Sequence, residues 1–162
     1  MALFGRSRAA TGAGIIATLL LVLIFGNQIF AEWVDRHTTQ NTVWGWFLRT
    51  LSFPRWWLTP RDDSGPAARE LLANDLKALL IILFTALVLT VGGKSLGTSA
   101  GAFIIGWAAL IFGAALAAFT TAFIISDPTM LKAMSDAAYA AGYGLFAGWI
   151  VGLAVATGKR GD

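Results

Sequence analysis

The side chains suited to chemistry in this chain are few, and their spacing does not assemble a known site. Gly92-Gly93-Lys94-Ser95-Leu96-Gly97 contains the Gly-Lys-Ser that closes a phosphate-cradling loop, where backbone N–H groups hold the phosphates and the hydroxyl holds Mg2+. Such a loop needs another glycine five residues before Gly93, and Val88 stands there. The segment before it also reads as an apolar helix, not the strand that a phosphate loop follows. Asp62-Asp63 is the sole adjacent acid pair and reads as a loop turn. His37 is the only histidine, so one copy cannot supply a bis-histidine haem. No cysteine is present, which excludes thiolate nucleophiles, disulfides and Cys-ligated metals. There is no His–carboxylate pair at metal-ligand spacing and no Gly-x-Ser-x-Gly elbow. Catalysis needs at least one positioned acid, base or nucleophile. The expectation is therefore no catalytic, cofactor-binding or metal-binding residue, no cofactor, and a chain that is not an enzyme.

The elements that would have to position any site are unusually apolar. Residues 13–31, 78–93, 100–126 and 138–157 contain no Asp, Glu, Lys, Arg or His. Each charge at the centre of a bilayer helix costs roughly 2.5–3.5 kcal/mol on insertion scales, so such runs are stable in hydrocarbon. The whole chain is 57% hydrophobic and 13% charged, against about 25% charged for a soluble domain. We expect an all-α integral membrane protein forming a single membrane domain over 1–162. Its four transmembrane helices fall at about 12–32, 76–93, 100–126 and 137–157, with an interfacial Trp-rich segment at 41–59 between the first and second. Arg6 and Arg8 ahead of the first apolar run resemble the start of a secretory signal, but Ile29 stands where a small residue is needed for cleavage, so the segment is expected to remain as an anchor.

Net charge is +3. The 12 basic residues are scattered and interleaved with 9 acids, so no run could track a phosphate backbone and no nucleic-acid partner is expected. The membrane surface accounts for the excess more simply.

Five of the seven tryptophans lie between Trp33 and Trp57. Indole is amphipathic and settles at headgroup depth, so Trp33, Trp44, Trp46, Trp56 and Trp57, with Arg49 and Arg55, are the candidate membrane-interface residues. They are expected on a short helix lying flat and broken at Pro54. Three roles suit the segment: an aromatic belt fixing helix tilt, a docking surface for another subunit, or lipid-headgroup binding by the arginines. Asn27 and Gln28, near the end of the first span, are expected to bond to a neighbouring helix or headgroup water, or more sharply to a lipid or quinone. Ser64 and Pro66 mark a helix start. The turns that follow carry Arg69, Glu70, Asn74, Asp75 and Lys77 and should protrude before the apolar run begins. After the third span, Asp127 is placed to cap a short helix ending at Met134.

Small residues recur every four positions on the last two spans: Ala109, Gly113, Ala117 and Thr121 on one, Ala140, Gly144, Gly148, Gly152 and Ala156 on the other. In lipid, helices associate through close backbone approach, which such stripes permit. Ala109, Gly113, Ala117, Ala140, Gly144, Gly148 and Gly152 are the candidate helix-packing residues. The two stripes are expected to face each other, or one of them to face a second copy or another subunit.

Basic residues divide five against seven between the two sides of a four-span chain, which settles nothing. Arg6 and Arg8 sit in a short tail without acids, whereas the long loop pairs its basic residues with acids. Both termini are therefore expected in the cytoplasm and the Trp-rich loop outside, in the cell membrane. The Ala, Gly, Trp and Arg usage points to a bacterium of high genomic GC. No ionisable path or broken helix lies at mid-depth for a pump. The expected function is a small non-catalytic accessory or assembly subunit of a larger membrane complex. The alternative is a self-associating protein for membrane transport, permeability or lipid binding. Its partners are then the lipid bilayer and either other membrane subunits or further copies of itself.

Overall fold

The structure, a computed structural model, describes residues 2–59, 64–93, 98–124 and 129–159, with side chains from residue 8 onward. Six α-helices are α1 (Ala2–Leu20), α2 (Gln28–His37), α3 (Val43–Leu51), α4 (Gly65–Gly92), α5 (Ser99–Ala122) and α6 (Met130–Gly158). A π-helical turn, Leu21–Phe25, extends α1, and no strand occurs among the described residues. Four stretches are long and apolar enough to cross a membrane: Arg8–Phe25, α4, α5 and α6. They fit a multi-pass membrane protein.

Each later helix starts on a side-chain oxygen that satisfies an otherwise unpaired N–H of the first turn. Thr42 accepts from Gly45 N at 3.0 Å and Ser64 from Ala67 N at 3.3 Å. Thr98 accepts from Gly101 N at 3.1 Å and Thr129 from Lys132 N at 3.2 Å. The boundaries differ from expectation in two places. A continuous first span over 12–32 does not form, because the helix starts near the N-terminus and breaks at Gly26–Asn27. The short helix expected before the fourth span is simply the first turns of α6, capped by Thr129, whereas Asp127 lies outside the described residues.

The four long helices form a ring in chain order, α1–α4–α5–α6, with α1 closing against α6. Contact is most extensive between α5 and α6. A Cβ added at Gly14 of α1 would lie 2.6 Å from Val155 and 2.7 Å from Leu89, and one at Gly158 would lie 2.9 Å from Ala13. The start of α1 therefore lies at the same end of the bundle as the C-terminal ends of α4 and α6, so α1 runs antiparallel to both.

At the opposite end the chain between α1 and α4 folds into a cap of α2, α3 and the loop to Trp57. Leu48, Leu51 and Ser52 of the cap are buried. Phe47, Phe53 and Trp56 pack against the bundle core. The Trp-rich segment thus packs against the bundle, leaving Val43, Trp44 and Trp46 of α3 exposed.

Candidate functional site

The break after α1 is built by local hydrogen bonds. Asn27 Nδ2 donates to Leu23 O (3.1 Å) and Ile24 O (2.7 Å), closing one helix, while its Oδ1 accepts from Phe30 N (2.8 Å) and opens the next. Gln28 bonds to Glu32 within α2. Both amides serve their own segment rather than a neighbouring helix. The π turn widens the helix, and Val22 O accepts from Gly26 N at 3.0 Å and from the Trp56 indole at 2.9 Å. Trp56 N also donates to Gly26 O at 2.9 Å, so Trp56 ties the cap to α1 twice. Trp57 N donates to Asp75 Oδ1 at 3.0 Å, tying it to α4.

Asp35, on α2, gathers the two arginines singled out in the sequence. Arg49 Nη1 pairs with Asp35 Oδ1, and Arg49 Nη2 donates to Thr38 O at 2.9 Å. Arg55 reaches both Asp35 oxygens, at 3.1 and 3.2 Å, and its Nε donates to Ser52 Oγ at 3.2 Å. Arg55 holds a left-handed backbone, φ 55°, one residue after a cis Phe53–Pro54 peptide. A bidentate guanidinium–carboxylate pair is geometrically specific, and here it fixes that turn of the loop onto α2. Asp35 carries no signal in the sequence, since fourteen and twenty residues separate it from its partners.

The seven interface candidates therefore separate. Trp56 is directed inward, Arg49 and Arg55 are engaged by Asp35, and Trp57 is half-buried beside α4. Trp33, Trp44 and Trp46 remain exposed. Trp33 stacks between Phe30 and His37, at 6.2 and 5.1 Å, and Trp44 stacks on Phe47 at 5.3 Å.

The helix-packing candidates separate as well. A Cβ at Gly148 would lie 2.5 Å from Trp107 Cδ1, and one at Gly152 would lie 2.7 Å from Phe103 O. One at Gly144 would strike Ile111 Cα and lie 2.7 Å from Ile111 N. All three thus lie against the face of α5 carrying Phe103, Trp107 and Ile111. Gly113 of the α5 stripe faces Thr85 of α4 instead. Ala109, Ala117 and Ala140 are fully buried. The stripes do not simply oppose each other: α6 lays its glycines on the bulkier side of α5, and that side gains a hydrogen bond, Trp107 Nε1 to Leu145 O at 2.8 Å. Sequence spacing could mark a small-residue face but not the rotation of its neighbour.

Inside the bundle, the hydroxyls of Thr85 and Tyr143 are buried and have no hydrogen-bond partner among the described residues. Thr18 and Thr121 are also buried, but bond to the carbonyls of Gly14 and Ala117. Among the described residues no three of His, Cys, Asp and Glu gather where they could hold a metal ion. Comparison of the chain with protein families, curated proteins and solved structures gives no match.

Proposed function

We propose that this chain is a non-catalytic accessory or assembly subunit of a larger membrane complex, held in the cell membrane of a bacterium by four spans with both termini cytoplasmic. The observation that supports this most is the length of α4 and α6. They have 28 and 29 residues, about 42 and 44 Å at 1.5 Å per residue, against a hydrocarbon layer of about 30 Å. Both begin at the cap end, where α4 carries Arg69, Glu70, Asp75 and Lys77, and α6 carries Lys132 and Asp136. These turns extend past the uncharged runs and expose Leu72, Met130, Leu131 and Met134. Methionine is adaptable at contact surfaces, and apolar groups held out beyond a bilayer suit a partner subunit better than water.

The test is photocrosslinking from Leu131 and from Leu72 in intact membranes, followed by gentle detergent extraction and native-mass measurement. A defined hetero-adduct and a hetero-complex of matching mass are expected. A homo-adduct would favour the self-associating alternative, and a monomer without any adduct would rule out the accessory role.

A further inference from the structure

The position of α3 along the bundle can be read from its contacts. Trp46 and Phe47 stand 5.2 and 5.1 Å from Phe146 of α6, and Phe53 stands 5.1 Å from Tyr143. Asp136 is the last charged residue of α6 before its uncharged run. Phe146 lies ten residues further on, about 15 Å along the axis, and Tyr143 about 10 Å. α3 therefore lies beside the apolar length of α6 rather than above it. Its outward face is Val43, Trp44 and Trp46, exposed at 85%, 63% and 54%. Leu145 and Trp149, flanking Phe146 on α6, are exposed too, so the two apolar surfaces are continuous. At the N-terminal end of α3 the exposed residues turn polar: Thr39, Gln40, Asn41 and Thr42. The arginine charges of the cap are drawn onto Asp35.

We infer that α3 is a lipid-contact helix inserted into one leaflet only: Val43, Trp44 and Trp46 lie against phospholipid acyl chains, with residues 39–42 turned toward the headgroups. This rests on the four-span reading and adds to it which face of the cap meets lipid and how deep. The gradient from apolar face to polar tip is that of an amphipathic helix; one lying on a membrane sinks its apolar side about 5–10 Å, and the contacts with Phe146 draw α3 deeper than that. The contacts also explain how such a helix is held. α3 and its loop are wedged against α6, with Trp56 on α1 and Trp57 on α4, so the helix cannot rise out of the leaflet without breaking those ties.

The absence of cysteine makes a direct test available: Gln40→Cys, Val43→Cys and Phe112→Cys, each labelled with a nitroxide in purified protein in phosphatidylcholine–phosphatidylglycerol vesicles. Trp44→Cys serves as a second probe of the same face. Collision with oxygen against collision with a water-soluble nickel chelate reports depth. The oxygen-to-nickel ratio should be highest at Phe112 and lowest at Gln40. At Val43 and Trp44 it should lie between them, several-fold above Gln40. Nickel access at Val43 equal to that at Gln40, with Phe112 protected, would overturn the lipid assignment and leave the four-span reading intact. Protection of Val43 and Trp44 from both reagents would also overturn it, since a second copy rather than lipid would then cover the face. Nickel access at Phe112 would overturn both.

Discussion

Adding one methyl group at Gly144 is the most exacting perturbation this fold offers. The added carbon strikes Ile111 Cα and lies 2.7 Å from Ile111 N and 2.8 Å from Leu110 O, all backbone atoms that no rotamer change can move. Carbon contacts relax at about 3.5–4.0 Å, so α5 and α6 must separate by roughly 1 Å along this seam. Overpacking of this kind costs about 1–3 kcal/mol. The same shift stretches the bond from Trp107 Nε1 to Leu145 O beyond its present 2.8 Å, and an interhelical bond in lipid is worth about 0.6–1.7 kcal/mol. Gly144→Ala should therefore destabilise by about 2–4 kcal/mol. Gly142→Ala is the control: two residues away on the same helix, its added carbon meets nothing within 4 Å. It should be neutral, or stabilising by up to about 1 kcal/mol through helix propensity. Reversible unfolding in mixed micelles or bicelles measures both. If Gly144→Ala matches Gly142→Ala within about 0.5 kcal/mol, the usual range for an inconsequential site, the α5–α6 seam is not where the structure puts it. Gly148→Leu, which meets Trp107 first, should lower stability in the same assay.

Thr85→Val keeps the shape of a buried side chain and removes a hydroxyl that has no partner among the described residues, so stability should stay level or rise by about 1 kcal/mol. Tyr143→Phe should behave alike for the same reason, and a clear loss at either position would mean that the hydroxyl is bonded in the membrane. Asp35→Asn takes the counter-charge from Arg49 and Arg55 at once. Because Asp35 is 38% exposed, the expected cost is modest, about 1–2 kcal/mol, read as faster proteolysis at the exposed 39–42 tip. Glu32→Gln, which removes the charge that pairs with Arg36 within α2 and touches only α2's own bonds, should change the cleavage rate little. Equal rates for Asp35→Asn and the parent chain would show that the carboxylate does not hold the cap.

The uncharged runs disclosed the long helices because insertion energetics act on composition alone, and the cap at Ser64 acts within one turn; the cap of α6 is Thr129 rather than the expected Asp127. What stayed hidden depends on distance through space. Nothing near Asp35 announces that Arg49 and Arg55 will converge on it across a loop with a left-handed residue. Nothing around Trp56 announces that its indole will find a carbonyl in the π turn of α1, thirty-four residues earlier. The glycines of α6 were legible as a close-packing face, but their neighbour's rotation was not. Phe103, Trp107 and Ile111 recur every four positions, as regularly as the small-residue row on the same helix, and spacing alone cannot choose between them.

That choice bears on self-association. In lipid, a glycine stripe brings helices together because it lets backbones touch, and a stripe can do this for one partner at a time. Gly144, Gly148 and Gly152 already have backbone or Trp107 atoms of α5 within 3 Å of where a side chain would begin. A dimer built on the same stripe would have to displace α5, breaking the most extensive interhelical contact in the molecule. Gly142 and Gly12 remain open, but each is a single gap rather than a stripe. Association between copies would then have to use exposed larger side chains away from the cap, such as Leu116 or Leu83. It should tolerate Gly142→Leu and respond to substitutions on those exposed faces, whereas Gly144→Ala should act on folding of the single chain. Measuring dimer fraction and unfolding on the same two variants separates these effects, because a stripe-mediated dimer would lose association under Gly144→Ala while the monomer stayed intact.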